Sequence, residues 1–370
     1  MERITIATPI LNGNEKKYVD ECIDTGWISA NGRFISEFEK KFAEFCGTKY
    51  ALACCNGTVT LHLALLALGV GPGDEVIMPT LTYIATANAV TYCGATPVFV
   101  DSEPDTWNLD ADKLEEKITS KTKVIIPVHL YGLPCNMDKI MSIARKHNIA
   151  VVEDAAEAHG ATWNGKVVGS MGDIGSFSFF GNKIITSGEG GMLTTNDEKL
   201  YERMKLLRSQ GVDPHKRYWH TTVAYNYRMT NLQAAVGLAQ LENVQWHLAQ
   251  RKRVAALYEK YLPMLGDLVS TQAVPAQANH VYWMNSVILS ESVKLSRDEV
   301  MAQMEAHNIE MRPLFYPMHI MPPYKDDSVH APVAESVSSR GINLPSHGKL
   351  TEEQVRYIVE SLKEILEQEA

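Results

Sequence analysis

Ala150-Val151-Val152-Glu153-Asp154-Ala155-Ala156 is the stretch that decides the fold. A short apolar, β-branched run ending in two carboxylates reads as a buried strand with a carboxylate at its end. Around it, from Tyr50 to about Thr195, similar runs alternate with helical patterns, the signature of βαβ units and a largely parallel sheet in an α/β fold. The predicted strands are Glu75 to Met78, Pro97 to Asp101, Val124 to Val128, Ala150 to Glu153, Ile174 to Phe179 and Met192 to Thr195. Helices are predicted over Thr60 to Leu68 and Met137 to His147, and Gly71-Pro72-Gly73-Asp74 is the turn that follows the first of them.

Farther out the pattern changes. Thr230 to about Leu265 is one long helical pattern in Ala, Leu, Gln and Glu, long enough to bridge two domains. Beyond it Val281 to Leu289 reads as a strand. Ser296-Arg297-Asp298-Glu299 and Thr351-Glu352-Glu353-Gln354 carry the capping-box spacing that opens helices. Arg312 to Pro323, dense in Pro, Met, aromatics and His, fits neither period and is predicted to be an ordered loop. A chain of 370 residues exceeds the size at which one core keeps growing. We therefore expect a large α/β domain over residues 1–250 and a small α+β domain over residues 251–370.

Composition removes several classes of function. The formal net charge of −9 disfavours a nucleic-acid groove, which needs clustered Lys and Arg. No apolar run approaches membrane-spanning length and there is no basic amphipathic helix, so no membrane partner is expected. Met1-Glu2-Arg3-Ile4-Thr5-Ile6 lacks the apolar core and cleavage site of a secretory signal, which predicts a cytoplasmic protein. Cys22, Cys46, Cys54, Cys55, Cys93 and Cys135 form no C-x-x-C pair and are expected to be reduced and mostly buried. Gly160 to Val167 has P-loop spacing, but Val167 stands where a hydroxyl must reach magnesium, and a hairpin turn at Asn164-Gly165 explains the spacing better. Gly188-Glu189-Gly190-Gly191 begins like a dinucleotide fingerprint and fails at Leu193. His215 and His220 have no second pair of ligands nearby, so no metal is expected.

Four elements carry chemistry, and each has a plainer reading beside it. Asp154, at a strand end, suits hydrogen bonding to a protonated ring nitrogen, or else N-caps the following segment. Lys183 follows the apolar run Ser176-Phe177-Ser178-Phe179-Phe180, where a lysine is costly unless paired, solvated or used in a Schiff base with a cofactor aldehyde; the alternative is a surface lysine in a turn. Asn56-Gly57-Thr58 opens a helix, so its free amides and hydroxyl suit a phosphate, with Ser178 as a second hydroxyl, or form an ordinary N-cap. Tyr83 lies just past a strand end, to stack on an aromatic ring or to pack in the core. Together the four can build a pyridoxal-phosphate site, each being needed for a different physical reason.

In this order the elements resemble the DegT/DnrJ/EryC1/StrS family of sugar aminotransferases, within the fold-type I, aspartate aminotransferase-like superfamily of pyridoxal-phosphate-dependent transferases. The resemblance runs through Trp27-Ile28-Ser29, Asn56-Gly57-Thr58, Glu153-Asp154-Ala155-Ala156, Phe177-Ser178-Phe179 with Lys183, Gly188-Glu189-Gly190-Gly191 and Asn226-Tyr227-Arg228-Met229. It implies that Lys183 is catalytic and binds the cofactor, that Asp154 contacts the ring nitrogen and that Tyr83 stacks on the ring. It further implies that Gly57, Thr58 and Ser178 hold the phosphate. Asn226 would reach the phosphate of the neighbouring subunit's cofactor, hence a homodimer with shared active sites. Glu157 stands where the family usually has glutamine, near the cofactor's phenolic oxygen, and would be protonated or turned toward the sugar. A related branch that removes a sugar hydroxyl has histidine in place of the lysine, so Lys183 implies amino transfer.

The implied substrates are L-glutamate, leaving as 2-oxoglutarate, and a nucleotide-linked keto sugar. Tyr218-Trp219-His220, Tyr225 to Asn231 and Arg312 to His319 favour a GDP-linked 4-keto-6-deoxy sugar over a UDP- or dTDP-linked one. Arg312 and His319 are then expected to contact the sugar or nucleotide, and His215, Lys216 and Arg217 the diphosphate. The other alternative is a non-catalytic module that kept the fold, against which intact Lys183 and Asp154 argue.

Overall fold

Strands written as continuous apolar runs are buried on both faces, and within residues 2–367, which the computed structural model describes, seven of them form one sheet. Two helices come first, α1 (Glu15–Thr25) and α2 (Arg33–Cys46), followed by β1 (Tyr50–Cys54), α3 (Gly57–Ala67) and β2 (Glu75–Pro79). Then come α4 (Ala85–Tyr92), β3 (Thr96–Val100), β4 (Thr122–Ile125), α5 (Met137–His147) and β5 (Ala150–Asp154). A hairpin of β6 (Thr162–Trp163) and β7 (Lys166–Val167) leads to β8 (Ile174–Ser178), β9 (Gly191–Thr195) and α6 (Glu198–Arg208). The sheet order is β1-β9-β8-β5-β4-β2-β3. From β3 to β8 the pairing is parallel, whereas β9 runs antiparallel to both β8 and β1. The expected parallel core is present. β1 was not among the predicted strands: Tyr50-Ala51-Leu52-Ala53-Cys54 has no β-branched residue, and pairing from Tyr50↔Thr195 to Cys54↔Gly191 makes it a strand. The β6–β7 turn has Asn164 at φ 48° and Gly165 at φ 76°, the left-handed pair that a two-residue hairpin needs.

Packing beneath β8 is aromatic. Phe34, Phe38 and Phe42 recur every fourth residue of α2, share one face and are fully buried. Phe38 lies 5.0 Å from Phe179, and Phe42 lies 4.9 Å from Phe177. Each such ring contributes roughly 1.5–3 kcal/mol of burial, and together they pin the strand that leads to Lys183.

The long helical pattern divides. Helices α7 (Asn231–Glu242) and α8 (Val244–Tyr261) meet at Asn243, whose φ of −107° and ψ of 14° leave the helical well. Asn243 is a weak helix former and its amide donates to Asn12 Oδ1 at 2.9 Å. After α8 come β10 (Val269–Thr271), β11 (Ala278–Asn279), β12 (Asn285–Leu289), α9 (Arg297–Ala306), β13 (Arg312–Pro313), α10 (Pro332–Arg340), β14 (Gly341–Leu344) and α11 (Glu352–Glu367). A second sheet runs β10-β12-β14-β13. Both capping boxes are made, Ser296 with Glu299 and Thr351 with Gln354.

Two sequence expectations need correction. The strand expected from Val281 begins only at Asn285, because Tyr282 sits at φ 52° and the Val281 and Met284 amides donate to the carbonyls of Gly132 and Tyr131. A boundary at 250/251 falls inside α8, and the division is not by sequence position alone. Ile4 bridges to Ile309 and packs with Val254 and Tyr258, so the chain start belongs to the small core, while β11 pairs with β6 of the large unit. The stretch Arg312 to Pro323 is ordered as expected, although Arg312–Pro313 joins the second sheet and Met318 N donates to Thr80 O at 2.8 Å. Asp101, at the end of β3, accepts from Ala334 N in the first turn of α10 at 2.9 Å and from Lys113 Nζ at 3.0 Å, which fastens α10 to the large sheet.

Glu153 fixes the loop that feeds β8. Its Oε1 accepts from Met171 N and Gly172 N, both at 2.7 Å, and its Oε2 from Gly169 N at 2.8 Å and His129 Nε2 at 3.1 Å. His129 Nδ1 accepts from Cys135 N at 3.1 Å, so Nε2 is the nitrogen that carries the proton. Replacing Glu153 with Ala leaves these donors without an acceptor, at roughly 1–3 kcal/mol for each one that stays buried. Urea denaturation of Glu153→Ala should show a loss of about 3 kcal/mol or more on that basis; a loss below about 1 kcal/mol would mean that the loop is held by other contacts.

Candidate active site

Alternation along β5 sends Glu153 to one face of the sheet and Asp154 to the other. Asp154 Oδ2 accepts from Thr86 Oγ1 at 2.9 Å, and Oδ1 from Ala156 N at 3.2 Å. No helix follows it, so Asp154 is not an N-cap. Burial raises its pKa, opposed by these hydrogen bonds and by the charge of Lys183.

Lys183 sits in a turn just past β8, its amide donating to Phe180 O at 3.0 Å, but it is not a surface lysine: its side chain is only 12% exposed. Nζ lies 4.0 Å from the centroid of the Trp283 ring, which is fixed by Nε1 donating to Asn182 O at 2.9 Å. Burial lowers the amine's pKa, while Glu157 and Asp154 pull it back up. Glu157 Oε1 is 3.7 Å from Nζ, and Glu157 Oε2 accepts from Tyr131 N at 2.8 Å. Burial pushes the Glu157 carboxyl up to about 7 against the opposing charge of Lys183. His159 lies between Phe177 and Phe179, with ring centroids 5.5 and 5.6 Å away, and burial holds its pKa down at about 3.

A wall of rings continues from the lysine. Trp283 stacks with Tyr131 at 6.2 Å, Tyr131 lies 5.3 Å from Phe315, and Phe315 lies 5.7 Å from Tyr83. Tyr83 itself is 58% exposed, which removes the core-packing reading and leaves its face available at the rim.

Asn56 does cap α3, its side chain accepting from Val59 N at 3.0 Å, and this directs the first-turn amides of Gly57 and Thr58 outward. A Cβ on Gly57 would stand 2.7 Å from Ser178 Cβ, so the helix start and the end of β8 are in direct contact. The N-cap and phosphate readings are therefore compatible.

Other expected residues are placed differently. Asn226 is exposed beside β1 at the open edge of the sheet, with Oδ1 accepting from Arg228 Nε at 3.0 Å and Cys55 N donating to the neighbouring Tyr227 O at 2.9 Å. His215, Lys216 and Arg217 are exposed on the loop between α6 and α7, where Asp213 Oδ1 accepts the amides of His215 and Lys216. Lys216 and Arg217 lie over the rings of Trp219 and Tyr218. Arg312 is exposed and paired with Glu310 at 3.1 Å. His319 is corrected: it is buried, and its two ring nitrogens are taken by Thr80 Oγ1 at 2.7 Å and Glu335 Oε1 at 3.1 Å, so it latches the loop to the sheet and has no polar atom left for a ligand. Thr86, Tyr131, His159 and Trp283 were missed. Thr86 follows Thr82 by one helical turn, which is a usable signal; the others come from segments remote in sequence.

Pyridoxal phosphate fits the residues present. The close Gly57–Ser178 approach leaves a cradle bounded by backbone amides and a hydroxyl. Gly57, Thr58 and Ser178 would hold its phosphate, Asp154 its ring nitrogen and Lys183 its carbonyl carbon. Among the described residues no group of three or more His, Cys, Asp or Glu is placed to hold a metal.

Known proteins match this arrangement along the whole chain. Residues 9–363 match the model of the DegT/DnrJ/EryC1/StrS aminotransferase family. The GDP-perosamine synthase of Caulobacter vibrioides is 57% identical over 370 residues, covering 99% of each chain. The enzyme of that name from Escherichia coli O157:H7 is 49% identical, covering 98% of this chain and 99% of the other. Among solved structures, the putative sugar aminotransferase Spr1654 of Streptococcus pneumoniae in its PLP form has a TM-score of 0.94 at 30% identity, covering 100% of both chains. The fold is thus that of fold-type I aminotransferases.

Gly57→Ala tests the cradle. The added methyl must displace Ser178 or the helix start, at roughly 1–3 kcal/mol. Equilibrium dialysis should show pyridoxal phosphate binding weakened roughly 10- to 100-fold. Unchanged affinity would move the phosphate site elsewhere.

Proposed function

The chain belongs to the DegT/DnrJ/EryC1/StrS aminotransferase family, and we propose that it transfers the amino group of L-glutamate to C4 of GDP-4-keto-6-deoxy-D-mannose, yielding 2-oxoglutarate and GDP-perosamine for surface polysaccharide. The observation that carries this reading is 57% identity, end to end, to a GDP-perosamine synthase, with a buried amine and carboxylate at the positions the chemistry needs. In the net reaction a C–N bond breaks at the α-carbon of glutamate and one forms at C4 of the sugar; the sugar's carbonyl oxygen leaves as water, and a water supplies the keto oxygen of 2-oxoglutarate.

Pyridoxal phosphate, when bound, supplies the carbonyl that carries the amino group between the two halves and the ring that accepts the electron pair. Asp154 favours a protonated ring nitrogen, being an acceptor already oriented by Thr86 and the Ala156 amide. Lys183 removes and returns the proton at the substrate carbon, and burial lowers its pKa, which keeps more of the amine in the basic form. The rings of Trp283, Tyr131 and Phe315 exclude water on one side of the amine. Tyr83, exposed at the rim, would stack on the cofactor ring when it is bound.

A homodimer with shared sites is part of the proposal. Asn226 faces solvent at the sheet edge, where it is free to reach a second copy's phosphate, and Trp27, Ile28, Phe180, Trp219 and Val223 are exposed apolar residues that a second copy would cover. In that assembly His215, Lys216 and Arg217, on an exposed loop, serve the diphosphate. Arg312 is retained as a sugar or nucleotide contact, and His319 is not.

Two measurements test this. Incubating the loaded protein with L-glutamate and GDP-, UDP- or dTDP-linked 4-keto-6-deoxy sugars should give, by mass spectrometry, selective conversion of the GDP sugar; selective conversion of a UDP sugar sinks the substrate assignment, and failure to release 2-oxoglutarate sinks transamination itself. Lys183→Ala should lose the borohydride-fixable cofactor link and slow the reaction by roughly 10²–10⁴-fold or more. A fixable link at another lysine would refute the role given to Lys183.

A further inference from the structure

The Lys183–Glu157 pair has a geometry that goes beyond holding an amine in place. Glu157 Oε2 is committed to Tyr131 N at 2.8 Å, which turns Oε1 toward Lys183 Nζ at 3.7 Å. That distance is within ion-pair range yet longer than a hydrogen bond, and a small rotation of either side chain closes it. The two side chains are 6% and 12% exposed, so a proton leaving Lys183 has little water to receive it. The Trp283 ring, 4.0 Å from Nζ, takes no proton.

We propose that Glu157 is the proton acceptor for Lys183: its Oε1 takes a proton from the buried ammonium and returns it, so that the amine is discharged and recharged inside the site. This rests on the reading that Lys183 is the reacting amine. The step is balanced. An N–H bond of the ammonium breaks and its electron pair stays on Nζ, an O–H bond forms on Glu157, and an ion pair becomes a neutral pair. No oxidant or third reactant is involved.

The remaining groups around the pair leave Glu157 as the suitable acceptor. Asp154 acts on the same amine through its charge alone, from beyond ion-pair distance, whereas Glu157 Oε1 stands 3.7 Å from Nζ. The Tyr131 hydroxyl is buried, which drives its pKa far above neutrality, and it donates no proton of use. His159 is held neutral by burial at about 3, and a proton placed on it would gain no partner. Burial acts on the pair in converging directions, lifting Glu157 to about 7 and lowering Lys183. Where water is scarce an ion pair and its neutral form come close in energy, the condition for a proton to move either way.

The test uses the full-length, cofactor-free protein with [ε-13C]lysine, its Lys183 resonance assigned by its loss in Lys183→Ala. In the unsubstituted chain the Lys183 ε-carbon should titrate in two steps that belong to the pair, and the lower, near pH 7, should already carry a substantial part of the shift change of amine discharge, because the remaining proton is shared between Nζ and Oε1; a lower step of only minor amplitude would mean that Glu157 is a charged neighbour and not the acceptor. Glu157→Gln keeps an oxygen for the Tyr131 amide but no acidic group; its lower step should vanish and its upper step move to lower pH, because a carboxylate that favoured the ammonium is gone. Glu157→Asp retains the acid, and its lower step should shift to lower pH with the changed carboxyl. One step at the same pH in the unsubstituted chain and Glu157→Gln overturns the proposal, as does a lower step that stays near pH 7 in Glu157→Asp. Neither outcome depends on which sugar is used, so a failed sugar assignment and a failed proton acceptor are separately visible.

Discussion

The contact between Lys183 and Glu157, 3.7 Å apart and largely removed from water, is the constraint around which the structure is arranged. An amine and a carboxyl in such a place are each costly alone, and their mutual attraction offsets much of that cost only if they are held in register. Register comes from two directions. Phe34, Phe38 and Phe42 of α2 fix β8 from below, and Lys183 follows five residues after its end. Tyr131 N fixes Glu157 from the loop after β4, and that loop is in turn fastened to the Val281–Met284 segment of the small unit.

The carboxyl end of β5 divides its labour by strand alternation. Glu153 faces inward and satisfies three backbone amides and His129, which shapes the loop into β8. Asp154, one residue on, faces the pocket and remains a hydrogen-bond acceptor for a ligand. Two neighbouring acids therefore have unrelated surroundings, one bound into the scaffold and one turned to the candidate site. Their order matters: a one-residue slip of β5 would put the scaffold acid into the site.

The small unit contributes more than a lid. Trp283 lies under the lysine, Phe315 continues the ring wall to Tyr83, and His319 and Asp101 lock the intervening loop to the large sheet. Met318 and Thr80 share a backbone hydrogen bond, so the loop dense in Pro and aromatics is an extension of the sheet's rim rather than a free connection. Residues from before and after α8 line the candidate site, and α8 runs through residue 250 without a break.

Local sequence determined the elements whose physics is local. The apolar run to Asp154, the Asn56 cap, the Asn164-Gly165 turn and both capping boxes each depend on residues within a few positions of one another, and all were legible. The cofactor chemistry was legible only in the series: Asn56-Gly57-Thr58, Asp154 and Lys183 each have a plainer local reading, and it is their order together that resembles the aminotransferase family. Tertiary structure decided what depends on distant partners. β1 is a strand because of β9, and the helical pattern past Thr230 breaks at Asn243, where the chain turns into the small unit. His319 looks like a ligand by type and is a buried latch by position. Trp283 reaches the lysine, and Tyr131 reaches Trp283 and Glu157, from segments that no spacing rule connects to it. The same reason separates the two kinds of knowledge for Glu157: sequence named the residue, but its partner, its burial and hence its protonation follow from the free energy of leaving water, which only the folded surroundings set.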